Sequence, residues 1–158
     1  MRHAIETGLS FGLTSGIITT LGLMVGLHSG TGSDAVVIGG ILTIAIADAF
    51  SDALGIHMSE EAENKHTYTE VWEATLSTFF FKFIFASTFI IPVLVLRLST
   101  AIGVSVVYGL VVLVLLNLRL ARNQHISPLK PILEHLTIAL VVIVLTHIVG
   151  DWISRFFG

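Results

Sequence analysis

The chain has 158 residues, 54% of them hydrophobic and 12% charged, with a net charge of −3 and a mean hydropathy of +0.91. Soluble domains carry roughly 25% charged residues, so this chain lacks the polar surface of a water-facing globule, and its few basic residues argue against nucleic-acid binding. Cysteine is absent, which removes disulfides and thiolate metal sites.

In chain order, five apolar stretches have the length of about 20 residues that a bilayer-spanning helix requires. The first runs from about Ala4 to Leu27 and ends in the turn from His28 to Asp34. It follows Met1-Arg2-His3 with no clear cleavage site before its end, and so is expected to stay in the protein as a helix. Gly8, Gly12 and Gly16 recur at four-residue intervals in it, and Gly22 and Gly26 repeat the spacing. The second stretch, about Ala35 to His57 with a helical extension to about Lys65, carries Gly39, Thr43, Ala47, Ser51 and Gly55 at the same interval. Small residues four apart let helix backbones approach closely in lipid. Both stripes predict that helices 1 and 2 form the tight centre of the molecule, or of a dimer.

The third stretch spans about Trp72 to Leu96, with Lys82 inside it and Pro92 near its far end. The fourth covers about Thr100 to Leu118 and the fifth about Ile132 to Phe157. The expected fold is therefore all-α: a single polytopic membrane domain of five transmembrane helices. Five crossings place Arg2, Lys65, Arg119, Arg122 and Lys130 on one side, against Arg97 and Arg155 on the other. By the positive-inside rule the first side, with the N-terminus, is cytoplasmic and the C-terminus faces outward.

Ionisable groups within a membrane are costly and mark functional candidates. Asp48 and Asp52 lie four residues apart on helix 2, hence on one face. Two carboxylates there can bind a metal cation or exchange protons. The structural alternative pairs one of them with Lys82, which helix rise places within about 5 Å of the depth of Asp52. Beyond them follow His57, Met58, Glu60, Glu61 and Glu63, then His66, Glu70 and Glu73. These form a cation-attracting mouth or a solvated acidic face; their mixed oxygen, nitrogen and thioether donors suit a first-row divalent metal. Helix 1 adds Ser15 and Met24 as supporting ligand candidates, among hydroxyls that often bond their own backbone. His147 and Asp151, four apart in helix 5, are an exit ligand pair or a simple hydrogen bond.

Several segments together resemble the vacuolar iron transporter family. Gly12-Leu-Thr-Ser-Gly-Ile-Ile-Thr-Thr-Leu-Gly-Leu-Met-Val-Gly26 resembles the family's first helix, and Ala49-Phe-Ser-Asp-Ala-Leu-Gly-Ile-His-Met-Ser59 its second. Trp72-Glu-Ala74, Ile90-Ile-Pro92 and Thr146-His-Ile-Val-Gly150 resemble its later helices, in the same order. The family's helix 1 asparagine and aspartate resemble Thr14 and Ser15 here, its helix 2 methionine matches Asp52 and its following glutamate matches Ile56. A cytoplasmic helical metal-binding domain is replaced by a short acidic turn.

The resemblance implies a homodimer that exports Fe²⁺ or Mn²⁺ from the cytoplasm in exchange for protons, with the path between helices 1 and 2 near the dimer axis. It implies no enzyme activity and no tightly bound cofactor, the metal being cargo. The small size suggests a prokaryotic plasma membrane. Asp48 and Asp52 would be the deep ligands, and replacing both with Asn is expected to abolish transport while leaving the dimer assembled. One rival is a non-transporting scaffold or partner subunit that kept the fold. Another is an aspartyl protease, for which two aspartates on one helical turn are badly placed to face each other across a substrate.

Overall fold

The computed structural model describes residues 2–158, with side chains from Ala4 onward; the Arg2 side chain counted in the charge balance lies outside them. It contains α1 (Arg2–Thr31), α2 (Asp34–Glu63), α3 (Tyr68–Thr88), α4 (Ile90–Val95), α5 (Leu98–Asn123) and α6 (Leu129–Phe157), and no strand among the described residues. Five segments are long and apolar enough to cross a membrane: Ala4–Thr31, Asp34–Glu63, Tyr68–Val95, Leu98–Asn123 and Leu129–Phe157. The chain is an integral membrane protein, and most helices extend a few residues beyond their expected ends.

Local chemistry sets the ends. Ser33 caps α2 by accepting a hydrogen bond from the Val36 amide, and Asn64 closes the helix in the left-handed region at φ 52°. Thr67 and Glu70 form a reciprocal capping box at the start of α3, satisfying donors that a helix start leaves open. The third span is broken at Phe89, which the sequence pattern did not predict. Pro92 lacks an N–H, and its ring clashes with the carbonyl four residues earlier. That residue is Thr88, where α3 stops.

The glycines do something different from the expectation. α1 is the hub of the bundle, and its most extensive contacts are with α3 and α6, not α2. Gly8, Gly12 and Gly16 lie against Ser77, Thr78 and Lys82 of α3, while Gly22, Gly26 and Gly30 lie against Val142, Thr146 and Gly150 of α6. α5 takes the remaining side, where Gly109 receives Ile17 and Leu21. The α2 stripe faces away from the chain: Gly39, Thr43, Ala47, Ser51 and Gly55 are all exposed. A four-residue spacing identifies a groove but not which neighbour fills it.

A Cβ on Gly12 would lie 2.7 Å from the Thr78 carbonyl oxygen, whereas one on Gly103 would meet nothing within 4 Å. Gly12→Ala should therefore destabilise the bundle by about 1–3 kcal/mol, the usual cost of overpacking. Gly103→Ala should be neutral or stabilising by up to about 1 kcal/mol, through helix propensity. Thermal unfolding in detergent compares them; equal losses would mean that the α1–α3 approach is not what Gly12 serves.

Candidate functional site: a buried charge triad

Asp48 lies at the midpoint of α2, Lys82 at the midpoint of the third span and Ser15 near the midpoint of α1. Their side chains meet. The Lys82 side chain is 0% exposed, and its ammonium pairs with Asp48 Oδ2 at 2.5 Å and with Asp52 Oδ2. It also donates to Ser15 Oγ at 2.9 Å, and Ser15 Oγ in turn donates to Asp52 Oδ2 at 2.6 Å. An ammonium has three donors and no acceptor; two of them bond Ser15 and Asp52, while Asp48 Oδ2 is buried beside the ammonium as a charge pair without a hydrogen bond.

Close packing makes this possible. The Lys82 stem passes over Gly16, where an added Cβ would sit 3.3 Å from its Cγ. A charged side chain at a membrane helix centre costs about 2.5–3.5 kcal/mol on insertion scales, and a buried ion pair holds only when its remaining bonds are satisfied. Ser15 and Asp52 meet that condition for Lys82, whereas Asp48 Oδ2 is held by charge alone. Two carboxylates against one ammonium leave a formal charge of −1. Replacing both aspartates would strand Lys82 without a counter-charge, so the double Asn substitution is not the clean transport knockout expected from sequence.

Asp52 and Asp48 keep 18% and 29% of their side chains exposed, which leaves the triad open at its edges. Two clefts approach it from opposite ends. One, of about 540 Å³, lies between α1 and α2 and runs from Leu27 and Val36 to Thr19 and Asp48. The other, of about 600 Å³, opens among α1, α2, α5 and α6, with Thr14 and Ile56 at its inner end and Glu6, Gln124 and His135 further out. Thr14 precedes Ser15 in the chain, and Ile56 is one helical turn from Asp52.

The other sequence candidates do not gather here. Met24 is fully buried in the apolar core with Ile41 and Phe89, where its thioether packs rather than lining either cleft. His57 bonds Thr75 through Nδ1 at 2.9 Å and meets the Trp72 ring edge-on. Met58 and Glu61 are exposed. Glu60 lies 3.3 Å from His66, Glu63 is 3.5 Å from Lys65, and Glu70 is occupied by the Thr67 cap. Glu73, partly buried, sits a turn further along α3. Among the described residues no three His, Asp or Glu side chains converge as a metal site would require. Local pairs and the Thr67 cap hold the acidic turn.

At the opposite end, Ser29 Oγ bonds His147 Nδ1 at 2.5 Å and donates to Asp151 Oδ1 at 2.8 Å, while His147 Nε2 stands 3.8 Å from Asp151. Ser29 thus pins α1 to α6 beside the Gly26, Gly30 and Gly150 contact. Sequence reading missed Ser29, and also Asn117, a polar group in an apolar span that bonds His135. Their type and depth were the available signals.

No family model, curated protein or solved structure compared with the chain matches it.

Proposed function

We propose that this chain is a divalent-cation transporter of the Fe²⁺ and Mn²⁺ class, with Asp48, Asp52 and Ser15 as its central site and Lys82 as the internal cation that holds the site when no cargo is bound. One observation carries the reading: a fully buried ammonium clasped by two carboxylates at the midpoints of their helices, with a cleft on either side. Transporters place substrate and coupling-ion sites near the bilayer midplane. Charge balance supplies the mechanism. A divalent cation matches two carboxylates only if the Lys82 ammonium moves aside or releases a proton, and the second course exchanges a proton for the cation. Carboxylate and hydroxyl oxygens are hard donors, which suits Mn²⁺ and Fe²⁺ better than softer metals.

The resemblance noted in the sequence supports the same assignment, with the charge that the family carries in helix 1 moved to helix 2. The excess of Lys and Arg on the side of the N-terminus supports a cytoplasmic N-terminus; export, and a prokaryotic plasma membrane, rest on the resemblance and the small size. The exposed α2 stripe of small residues supports a homodimer, since among the described residues it is a close-packing groove left unfilled.

The test is metal flux. Purified protein should first have the mass of two copies in detergent. In proteoliposomes it should carry Mn²⁺ or Fe²⁺ saturably, faster with an opposing proton gradient. A second reading has its own support: the burial of Lys82 and its bonds to Asp52 and Ser15 also suit a static structural triad in a scaffold subunit. Absence of flux for both metals, in well-folded protein, would favour the scaffold.

A further inference from the structure

The wider cleft differs from the rest of the membrane-embedded surface in its chemistry. Its outer part carries Glu6, Gln124 and His135, and Ser10 and Thr14 continue along the same face of α1 towards the triad. None of the side chains lining it is Lys or Arg. His135 is held in one orientation. Asn117, only 2% exposed, donates its amide to the Leu113 carbonyl at 2.8 Å, which leaves its Oδ1 to accept from His135 Nδ1 at 2.7 Å. Nδ1 is thereby the donor in this bond, and the ring is fixed with Nε2 on its far side. A carboxylate, an imidazole, an amide and hydroxyls, set beside Phe11, Ile56 and Leu120, give this cleft groups that stabilise cations and water.

We propose that this crevice among α1, α2, α5 and α6 is a water-filled, cation-selecting vestibule, through which hydrated cations reach the Asp48–Asp52–Lys82 triad from the side of the N-terminus. It replaces the acidic turn between α2 and α3 as the mouth of the path. The proposal rests on the transport reading only for the destination; the water and the charge preference stand on the crevice itself.

The chain has no cysteine, so single thiols can be placed without a background. Ser10→Cys and Thr14→Cys would be reacted in liposomes with a membrane-impermeant quaternary-ammonium methanethiosulfonate and with a sulfonate-bearing one. Val144→Cys on the outward face of α6 serves as the lipid-facing control. Thiols react as thiolates, which need water to form. Both crevice positions should label at least about tenfold faster than the control with the cationic reagent, and more slowly with the anionic one. Glu6 is eight residues from Thr14, about 12 Å along the helix. Removing its charge by Glu6→Gln should slow the cationic reagent at Thr14→Cys by about two- to tenfold and leave the anionic reagent unslowed.

Labelling no faster than the control would overturn the vestibule. Equal rates for the two reagents, or no effect of Glu6→Gln, would overturn its selectivity. Water access without metal flux would keep the vestibule and defeat the transport reading. Flux without labelling would do the reverse.

Discussion

Lys82→Met should be among the most damaging single substitutions in this protein. Its length and apolar stem fit the channel past Gly16, so packing is nearly conserved and the lost quantity is charge. Asp48 and Asp52 would then share a helical turn without the ammonium that both now hold. Removing one partner of a buried ion pair costs about 3–5 kcal/mol, because the other is left uncompensated. The expected result is a sharply lowered unfolding midpoint, or little monodisperse protein. The triple variant Asp48→Asn/Asp52→Asn/Lys82→Met removes every charge together, and it should recover most of the wild-type stability while remaining inactive in flux. Wild-type stability in Lys82→Met alone would show that the triad carries no structural charge.

The second large effect separates transport from folding. Asp48→Asn leaves Lys82 bonded to Asp52 and Ser15, so the ammonium keeps a counter-charge and the bundle should assemble. The site then falls from two carboxylates to one, too little to hold a divalent cation against Lys82. Losing one bond to a charged group costs about 1.5–3 kcal/mol, equivalent to about 10- to 150-fold in affinity. Mn²⁺ flux at a subsaturating concentration should fall by that factor or more. Asp48→Glu, which keeps the charge, should retain part of it. Unchanged flux in folded Asp48→Asn protein would remove this aspartate from the site.

The membrane character and the number of spans were legible because they depend on summed hydropathy and length, properties a sequence states directly. The Asp48/Asp52 pair was legible for a related reason: charge at membrane depth is rare enough to stand out, and four-residue spacing puts both groups on one face wherever the helix goes. Lys82 was visible as a partner of either carboxylate through helix rise alone. Its simultaneous hold on both, with Ser15 as an acceptor beside them, was not.

The remaining differences have one physical origin. Helix periodicity tells which residues share a face, but it carries no information about which helix will cover that face. Gly8, Gly12 and Gly16 looked like a groove for α2, and the bundle fills it with α3, because α1 is buried among its neighbours and α2 is covered on one side only. Met24 looked like a ligand and is core, while Glu60, Glu63 and Glu70 looked like one mouth and are held by His66, Lys65 and the Thr67 cap. Composition and periodicity by themselves determined that this chain is a helical membrane protein with a costly pair of aspartates at membrane depth. Only the tertiary structure decided that a buried lysine completes that pair and that a crevice carrying Glu6, Gln124 and His135 ends at Thr14 and Ile56 beside it, since both depend on contacts between residues tens of positions apart, which spacing along the chain does not encode.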